Sequence, residues 1–457
     1  MAPTSLAPSP PARGWLARIG LGTRERRAWA MFDWAVSAMQ TTVMVAVFPI
    51  YFVKVAGAKL APSSATASLA NANAVALIVM TLLSPPLGAL ADYFGIKKKL
   101  LLAFTIIGVL ACSGMFFVES GDLELAWWLF LFALVGGTGC MVPYEGLLPH
   151  LAPPAEVDRV STAGYALGYV GGGVLLALNL AWIQQPAWFG LPHGAGLTPS
   201  QATLPVRLAF LSVAAWWALF SIPLLRRVPE PPRTREADEA AAWRWSDPFR
   251  RLVETFRELR SYRNLFLMLV AFMLYNDGIQ TIIKMATAYG TELGIPQGAL
   301  IASILVVQFV GIPCTFAWGA IAERIGAKPA VFIGLAVYTV ISMVGYFMTT
   351  ATDFLILAAL VGLVQGGTQA LSRSLFSSMV PTHKSGEFFG FFSVFEKFAG
   401  IFGPVLFSIV IALTGTSRGA IISVIAFFIA GALVLARVDL AAGLATARAA
   451  NAGVRTV

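Results

Sequence analysis

The sequence predicts an all-α integral membrane protein, with twelve transmembrane helices in two pseudo-symmetric six-helix halves. Three observations carry that expectation. The 457 residues are 58% hydrophobic and only 12% charged, with a mean hydropathy of +0.76. A soluble domain carries about 25% charged residues, so something other than water solvates most of this chain. Runs of the roughly 20 apolar residues needed to cross a bilayer recur twelve times. The second six also repeat the punctuation of the first. Gly88-Ala-Leu-Ala-Asp92-Tyr-Phe-Gly95-Ile-Lys97 closes one run, and Gly319-Ala-Ile-Ala-Glu323-Arg-Ile-Gly326-Ala-Lys328 closes another, 231 positions later. Gly137-Thr138 and Gly172-Gly173 find echoes in Gly367-Thr368 and Gly403-Pro404 at nearly the same offset. A duplicated membrane chain is the mark of a secondary transporter whose path runs between its repeats.

Residues 1–27 form a Pro/Ala/Arg-rich tail, expected to be disordered to about Thr23. It resembles the start of a signal peptide, but the following run is too long for one and contains Asp33, so it reads as a retained first span. The N-terminal bundle, residues 28–225, holds span 1 (Ala28–Phe52), span 2 (Leu69–Ala91), span 3 (Leu100–Val118), span 4 (Leu125–Leu148), span 5 (Val160–Ile183) and span 6 (Leu204–Leu225). The cluster Gly168, Gly171, Gly172 and Gly173 on span 5 predicts close helix packing. Trp127-Trp128 and Trp216-Trp217 are expected at the interface or facing lipid. The loop from Gln184 to Thr203 reads as a connector.

Residues 226–263 are the longest polar interruption. Ser246-Asp247-Pro248 is a helix-start signal, followed by apolar residues at helical spacing with arginines between them. This predicts a basic amphipathic helix on the inner leaflet. The C-terminal bundle, residues 264–437, holds span 7 (Asn264–Tyr289), span 8 (Ala299–Ala322), span 9 (Pro329–Met348), span 10 (Phe354–Val380), span 11 (Phe388–Leu413) and span 12 (Ala420–Ala436). Asn276 and Gly278 predict a local loosening of span 7. Residues 438–457 read as a short, featureless tail.

Net charge is +9, but the 32 Lys and Arg residues are not a nucleic-acid signal. With the N-terminus cytoplasmic, 25 fall in cytoplasmic segments, four in outer loops and three inside spans. That asymmetry sets both termini inside. Cys112, Cys140 and Cys314 lie apart, the three histidines fall in loops, and no phosphate-binding loop occurs, so neither a metal site nor a cofactor is predicted. No nucleophile–base constellation predicts an enzyme.

Charge inside a span is costly, about 2.5–3.5 kcal/mol per group at the centre, and usually marks function. Seven such residues occur: Asp33, Glu145, Asp277, Lys284, Arg373, Glu396 and Lys397. At about 1.5 Å of rise per residue, Asp277 and Glu396 come near mid-membrane, while Asp33 and Glu145 sit near the cytoplasmic ends of spans 1 and 4. Asp277, Gln280 and Lys284 form one stripe on span 7; Gln365, Gln369 and Arg373 form another on span 10. Facing stripes of opposite charge suit a zwitterion. Pairing of Asp277 with Lys284 and of Arg373 with Glu396 as structural glue fits the same residues, as does a proton-carrying role for Asp277 or Glu396.

The Gly88–Lys99 segment and its copy resemble the loop signature of the major facilitator superfamily. Phe32-Asp33-Trp34-Ala35, Tyr144-Glu145-Gly146-Leu147-Leu148-Pro149-His150, Tyr275-Asn276-Asp277-Gly278, Gln365–Ser374 and Phe391–Phe398 resemble its vacuole-effluxer-like branch, whose bacterial members are uncharacterised permeases. Val36 and Glu145 depart from the pattern. The resemblance implies a central path lined by spans 1, 4, 7 and 10, and alternating access. It further implies transport of a small polar or zwitterionic solute, with amino-acid efflux suggested by the autophagy-associated fungal member. It implies a bacterial inner membrane, the bilayer and a small-molecule substrate as partners, with protons as a candidate coupling ion. On this reading Asp277, Gln280, Lys284, Gln365, Gln369, Arg373 and Glu396 line the substrate or proton pathway, and Asp33 and Glu145 make an inner gate. Gly88, Asp92, Gly95, Lys97, Gly319, Glu323, Gly326 and Lys328 control cytoplasmic closure. No nucleic acid and no obligate protein partner is expected. A non-transporting membrane sensor or scaffold on the same fold, and a lipid flippase, are the competing readings.

Overall fold

The computed structural model describes residues 14–232, 234–235, 257, 262–399, 402–403, 406, 409–410, 413, 417–452 and 455–456. Among them, eleven helices are long and apolar enough to cross a membrane. They correspond to predicted spans 1–10 and 12. Span 11 is described as a helix only over Ser385–Phe398, and most of its predicted remainder lies outside the described residues. The predicted amphipathic helix of the linker lies outside them too.

Helix ends follow local chemistry. The Thr23 side chain accepts the Arg26 N–H to start span 1, and reciprocal capping boxes at Thr198–Gln201 and Thr350–Asp353 start spans 6 and 10. Gly95 ends span 2 at φ 61°, a left-handed position that glycine takes without steric cost.

Each half has its own core. One gathers spans 1–6 around Trp29, Phe48, Phe210 and Trp217; the other gathers the second half around Tyr275, Tyr338, Phe376 and Phe428. The halves meet where span 2 packs on span 11, and span 5 on spans 8 and 10. Bare backbone permits this. A Cβ on Gly88 would lie 2.0 Å from the Gly386 carbonyl oxygen, and one on Gly390 would lie 2.7 Å from that of Ser84. Within the first half, a Cβ on Gly171 would lie 2.3 Å from the Trp34 carbonyl oxygen, which is the close approach predicted for the span 5 glycines.

Several expectations are corrected. Residues Trp15–Arg18 are helical within the expected disordered tail, because Leu16 and Ile19 pack on the first core. The tail after span 12 is a helix, Leu440–Ala452, seated against the second half by Gly443 on Met379 and by Asn451 Oδ1, which accepts the Thr382 N–H at 2.9 Å. Its end pairs with the linker as a two-residue antiparallel ladder, Thr234 opposite Thr456. Span 7 is one unbroken helix, Arg263–Glu292, with no loosening at Asn276–Gly278. The irregularity falls in span 1 instead, where π-helical turns occupy Gln40–Ala46 and Phe52–Ala56. Trp217 does not face lipid: it is fully buried, its ring filling the space beside Gly108.

Candidate functional site

Both terminal segments, the Gly95 turn and the Gly326 turn lie at one end of the bundle, called here the motif end. Polar contacts between the halves gather toward it.

The first motif copy forms a dry junction. Asp92 is ion-paired with Lys97, and both side chains are almost fully buried. Its other oxygen accepts the backbone N–H of Glu387 at 2.8 Å, so an acid on span 2 meets the first turn of span 11, where partial positive charge collects. Beside it, Ser385 donates to the Gly146 carbonyl at 2.9 Å, and its hydroxyl lies 3.2 Å from His150 Nε2. The second copy is wetter. Glu323 pairs with Arg159 at the start of span 5, and each side chain is about a third exposed. Lys328 does not face the partner half; it donates to the Ala436 and Val438 carbonyls at 3.0 and 2.7 Å, tying span 9 to the end of span 12.

Above these junctions sits Arg373, one of the largest wholly buried side chains. It belongs to span 10, yet its polar partners are all in the first half. Nε donates to Ser161 Oγ at 3.0 Å, Nη2 donates to the Ser161 carbonyl at 3.0 Å, and Nη1 lies 3.5 Å from Asp33 Oδ2. Asp33 is held in turn by the Tyr144 hydroxyl at 2.7 Å. The guanidinium is boxed by Tyr165, Trp29 and Tyr144, at 4.4, 5.0 and 5.9 Å to their ring centroids. Trp29 and Tyr144 stack at 4.6 Å and are fastened by Trp29 Nε1 donating to the Tyr144 carbonyl at 3.0 Å. The rings supply the negative faces that help a buried cation remain charged. The next residue, Ser374, donates to Asp158 at 2.5 Å, and Ser161 donates to the Ala370 carbonyl at 2.8 Å, so spans 5 and 10 are stitched at several points.

Glu145, next to Tyr144, is buried and lies within electrostatic reach of Glu396, Arg373, Asp33 and Lys397. Glu145 and Glu396 make no hydrogen bond or ion pair among the described residues. Lys397 turns to span 2, donating to the Ser393 carbonyl at 3.2 Å and toward Ser84 Oγ at 3.4 Å. The ion pair that Arg373 makes is therefore with Asp33, across the halves, and not with Glu396 as the helix-gluing alternative had it. Asp277 is buried within the second half on span 7, with its carbonyl accepting from Thr281 at 2.7 Å. Gln280, Gln365 and Gln369 are partly exposed. The Lys284 side chain, and with it the predicted Asp277–Lys284 pair, lies outside the described residues.

The structure thus brings Asp33, Glu145, Arg373 and Glu396 into one electrostatic group, although the sequence reading split them between a gate and a pathway. It does not bring Asp277 to that group. The residues missed by sequence were Trp29, Tyr144, Ser161 and Tyr165. The only signal for them was adjacency, Tyr144 standing beside a buried acid.

Residues 22–448 match the family described as "Vacuole effluxer Atg22 like". An uncharacterized MFS-type transporter, YxiO, of Bacillus subtilis (strain 168) is 36% identical over 416 residues, 91% of this chain and 94% of that protein. Autophagy-related protein 22 of Yarrowia lipolytica is 28% identical over 289 residues, 57% of this chain and 47% of that protein, so the match spans about half of the fungal relative. Among solved structures, the proton:xylose symporter XylE aligns with a TM-score of 0.65 at 14% identity, over 90% of this chain and 94% of that one. FucP, an MFS transporter in the outward conformation, aligns at 0.64 and 14%, over 92% and 99%. At such identities the likeness is one of fold.

Proposed function

Because the chain belongs to the vacuole effluxer Atg22-like family of major facilitator superfamily transporters, we propose that it exports a small zwitterionic solute, an amino acid by class, by alternating access. It is a multi-pass membrane transporter and not an enzyme. The motif end faces the cytoplasm of a bacterial inner membrane, as the distribution of basic residues supports, and the described conformation is the one closed on that side. The observation that carries this reading is Arg373, a buried cation on one half held wholly by the other. Opening the motif end must break those contacts, so whatever replaces them sets the cost of opening.

Glu145 and Glu396, one from each half and without hydrogen-bond partners among the described residues, offer acids to an ammonium group. Arg373 and Lys397 beside them offer cations to a carboxylate. A solute with both charges compensates the group as the halves separate, which an apolar lipid does not do. Asp277 and the partly exposed Gln280, Gln365 and Gln369 continue the polar lining on the second half. An acid that exchanges substrate for a proton supplies coupling to a pH gradient, and Glu145, Asp277 and Glu396 are the candidates.

The test is release of mixed amino acids from liposomes carrying the purified protein, followed by mass spectrometry with and without a pH gradient. Selective release that is lost in Glu145→Gln and pH-insensitive in Asp277→Asn or Glu396→Gln supports the reading. Release no greater than from empty liposomes, for every amino acid, sinks the substrate class. Release unchanged by all three substitutions sinks the assignment of the site.

A further inference from the structure

We propose that the cleft between spans 1 and 6 at the motif end binds the phosphate of an anionic diacyl phospholipid. The cleft encloses about 560 Å³ and is lined by Arg24, Glu25, Arg27 and Arg227, three cations against one acid. None of the three arginines makes an ion pair or a side-chain hydrogen bond among the described residues. Their neighbour Arg26, in contrast, is spent on Glu156 and on the Leu151 carbonyl. Converging cations left without protein partners are charge-complementary to an anion. Arg24 opens the first membrane-spanning helix and Arg227 closes the sixth, so the cleft lies at headgroup depth.

What lies toward the membrane decides the source of the phosphate. Spans 1 and 6 are sealed by Trp34 stacked on Trp216 at 5.6 Å and by Phe220 against both rings. On span 6, Leu219 and Ile222 lie eight and five residues before the cleft's Arg227, toward the bilayer centre, and they are 60% and 38% exposed. Trp15, in the short helix before span 1, is 70% exposed, as interfacial anchors are. Exposed apolar side chains thus lie between the cleft and the bilayer centre, suited to acyl chains below a headgroup held by arginine. Basic pockets between helices on the cytoplasmic side bind anionic headgroups in this way, each cation contributing about 1 kcal/mol.

The test is native mass spectrometry of the full chain with phosphatidylglycerol, phosphatidylcholine, or inorganic phosphate as competitor. We expect phosphatidylglycerol to be retained over phosphatidylcholine and to resist millimolar phosphate. R24Q/R27Q/R227Q should weaken its binding on the order of a hundredfold, while R324Q/R437Q/R448Q, which removes equal charge from the other half, should leave it within a few-fold. Glu25→Gln, which removes the single acid, should tighten it several-fold, a result that stands even if the triple variant does not fold. Equal retention of the two lipids, equal loss in both triple variants, or no tightening with Glu25→Gln overturns the proposal. Displacement by inorganic phosphate makes it a free-anion site and overturns the lipid.

Discussion

Replacing Arg373 with Gln removes the cation while keeping a side chain that reaches Ser161. In the wild type the guanidinium makes two hydrogen bonds to Ser161 and an ion pair with Asp33. Bonds to a charged group contribute about 1.5–3 kcal/mol each, and three give roughly 4.5–9 kcal/mol. Against this stands the desolvation of a wholly buried cation, several kcal/mol even after relaxation. The difference favouring the closed motif end is about 2 kcal/mol, a factor of roughly thirty in the closed-to-open ratio at about 1.4 kcal/mol per tenfold. The assay is a pulsed electron–electron distance between spin labels on Ala155→Cys and Arg324→Cys, exposed positions at the motif end of opposite halves, with the three native cysteines replaced. Arg373→Gln should convert a mostly short distance into a mixture with a substantial long component. Asp33→Asn should do so partially, and the double variant should fall short of the sum. A distribution unchanged in Arg373→Gln, or strictly additive shifts, refutes the claim that this pair holds the halves together.

Other perturbations test the same end. Gly88→Ala should open it without unfolding the protein, since its Cβ would stand 2.0 Å from the Gly386 carbonyl oxygen in the closed form; a wild-type distance distribution refutes the contact's role. Asp92→Asn should shift that distribution more than Glu323→Gln, because the first pair is buried and the second about a third exposed. Exposed pairs contribute at most about 1 kcal/mol, whereas breaking a buried one costs about 3–5. Glu230, which accepts the Lys98 N–H at 2.9 Å, has its carboxyl raised from 4.5 by burial, with that hydrogen bond only partly offsetting the rise. The folded state then holds its proton longer than the unfolded chain does, so stability falls as pH rises from about 4.5 through the folded value. Melting curves between pH 4 and 7 should show that slope in the wild type, and a shallower one in Glu230→Gln.

Much of the architecture was readable because membrane solvation writes it into composition and because the chain repeats itself. The 231-residue offset located both turns, and the glycines of span 5 announced close packing. The partner of Arg373 was not readable. Helical spacing put it in line with Gln365 and Gln369, but Asp33 is 340 positions away, and pairing across halves leaves no periodic trace in either helix. Depth counted from span ends also separated Asp33 and Glu145 from Glu396, because it treats every helix as straight and upright. The irregularity of span 1 was not readable either: its π-helical turns, Gln40–Ala46 and Phe52–Ala56, lie beyond Asp33, flank a proline at 49 and follow a run with no break signal. The helical C-terminal segment was missed for another reason. Leu440–Ala452 is too short and too alanine-rich to look like a span, and only a surface to lie on gives it structure.

The two motif copies are related by the duplication but not by their surroundings, and this bears on ionic strength. Mobile ions screen exposed charges over about 8 Å at physiological salt; they do not reach Asp92 and Lys97, whose side chains are 0% and 5% exposed, nor the backbone contact of Gly88 with Gly386. They do reach Arg159 and Glu323. A rise in salt therefore loosens the seam between spans 5 and 8 and leaves that between spans 2 and 11 as it was. A machine built from two equal halves thus has one brine-proof seam and one that the medium tunes.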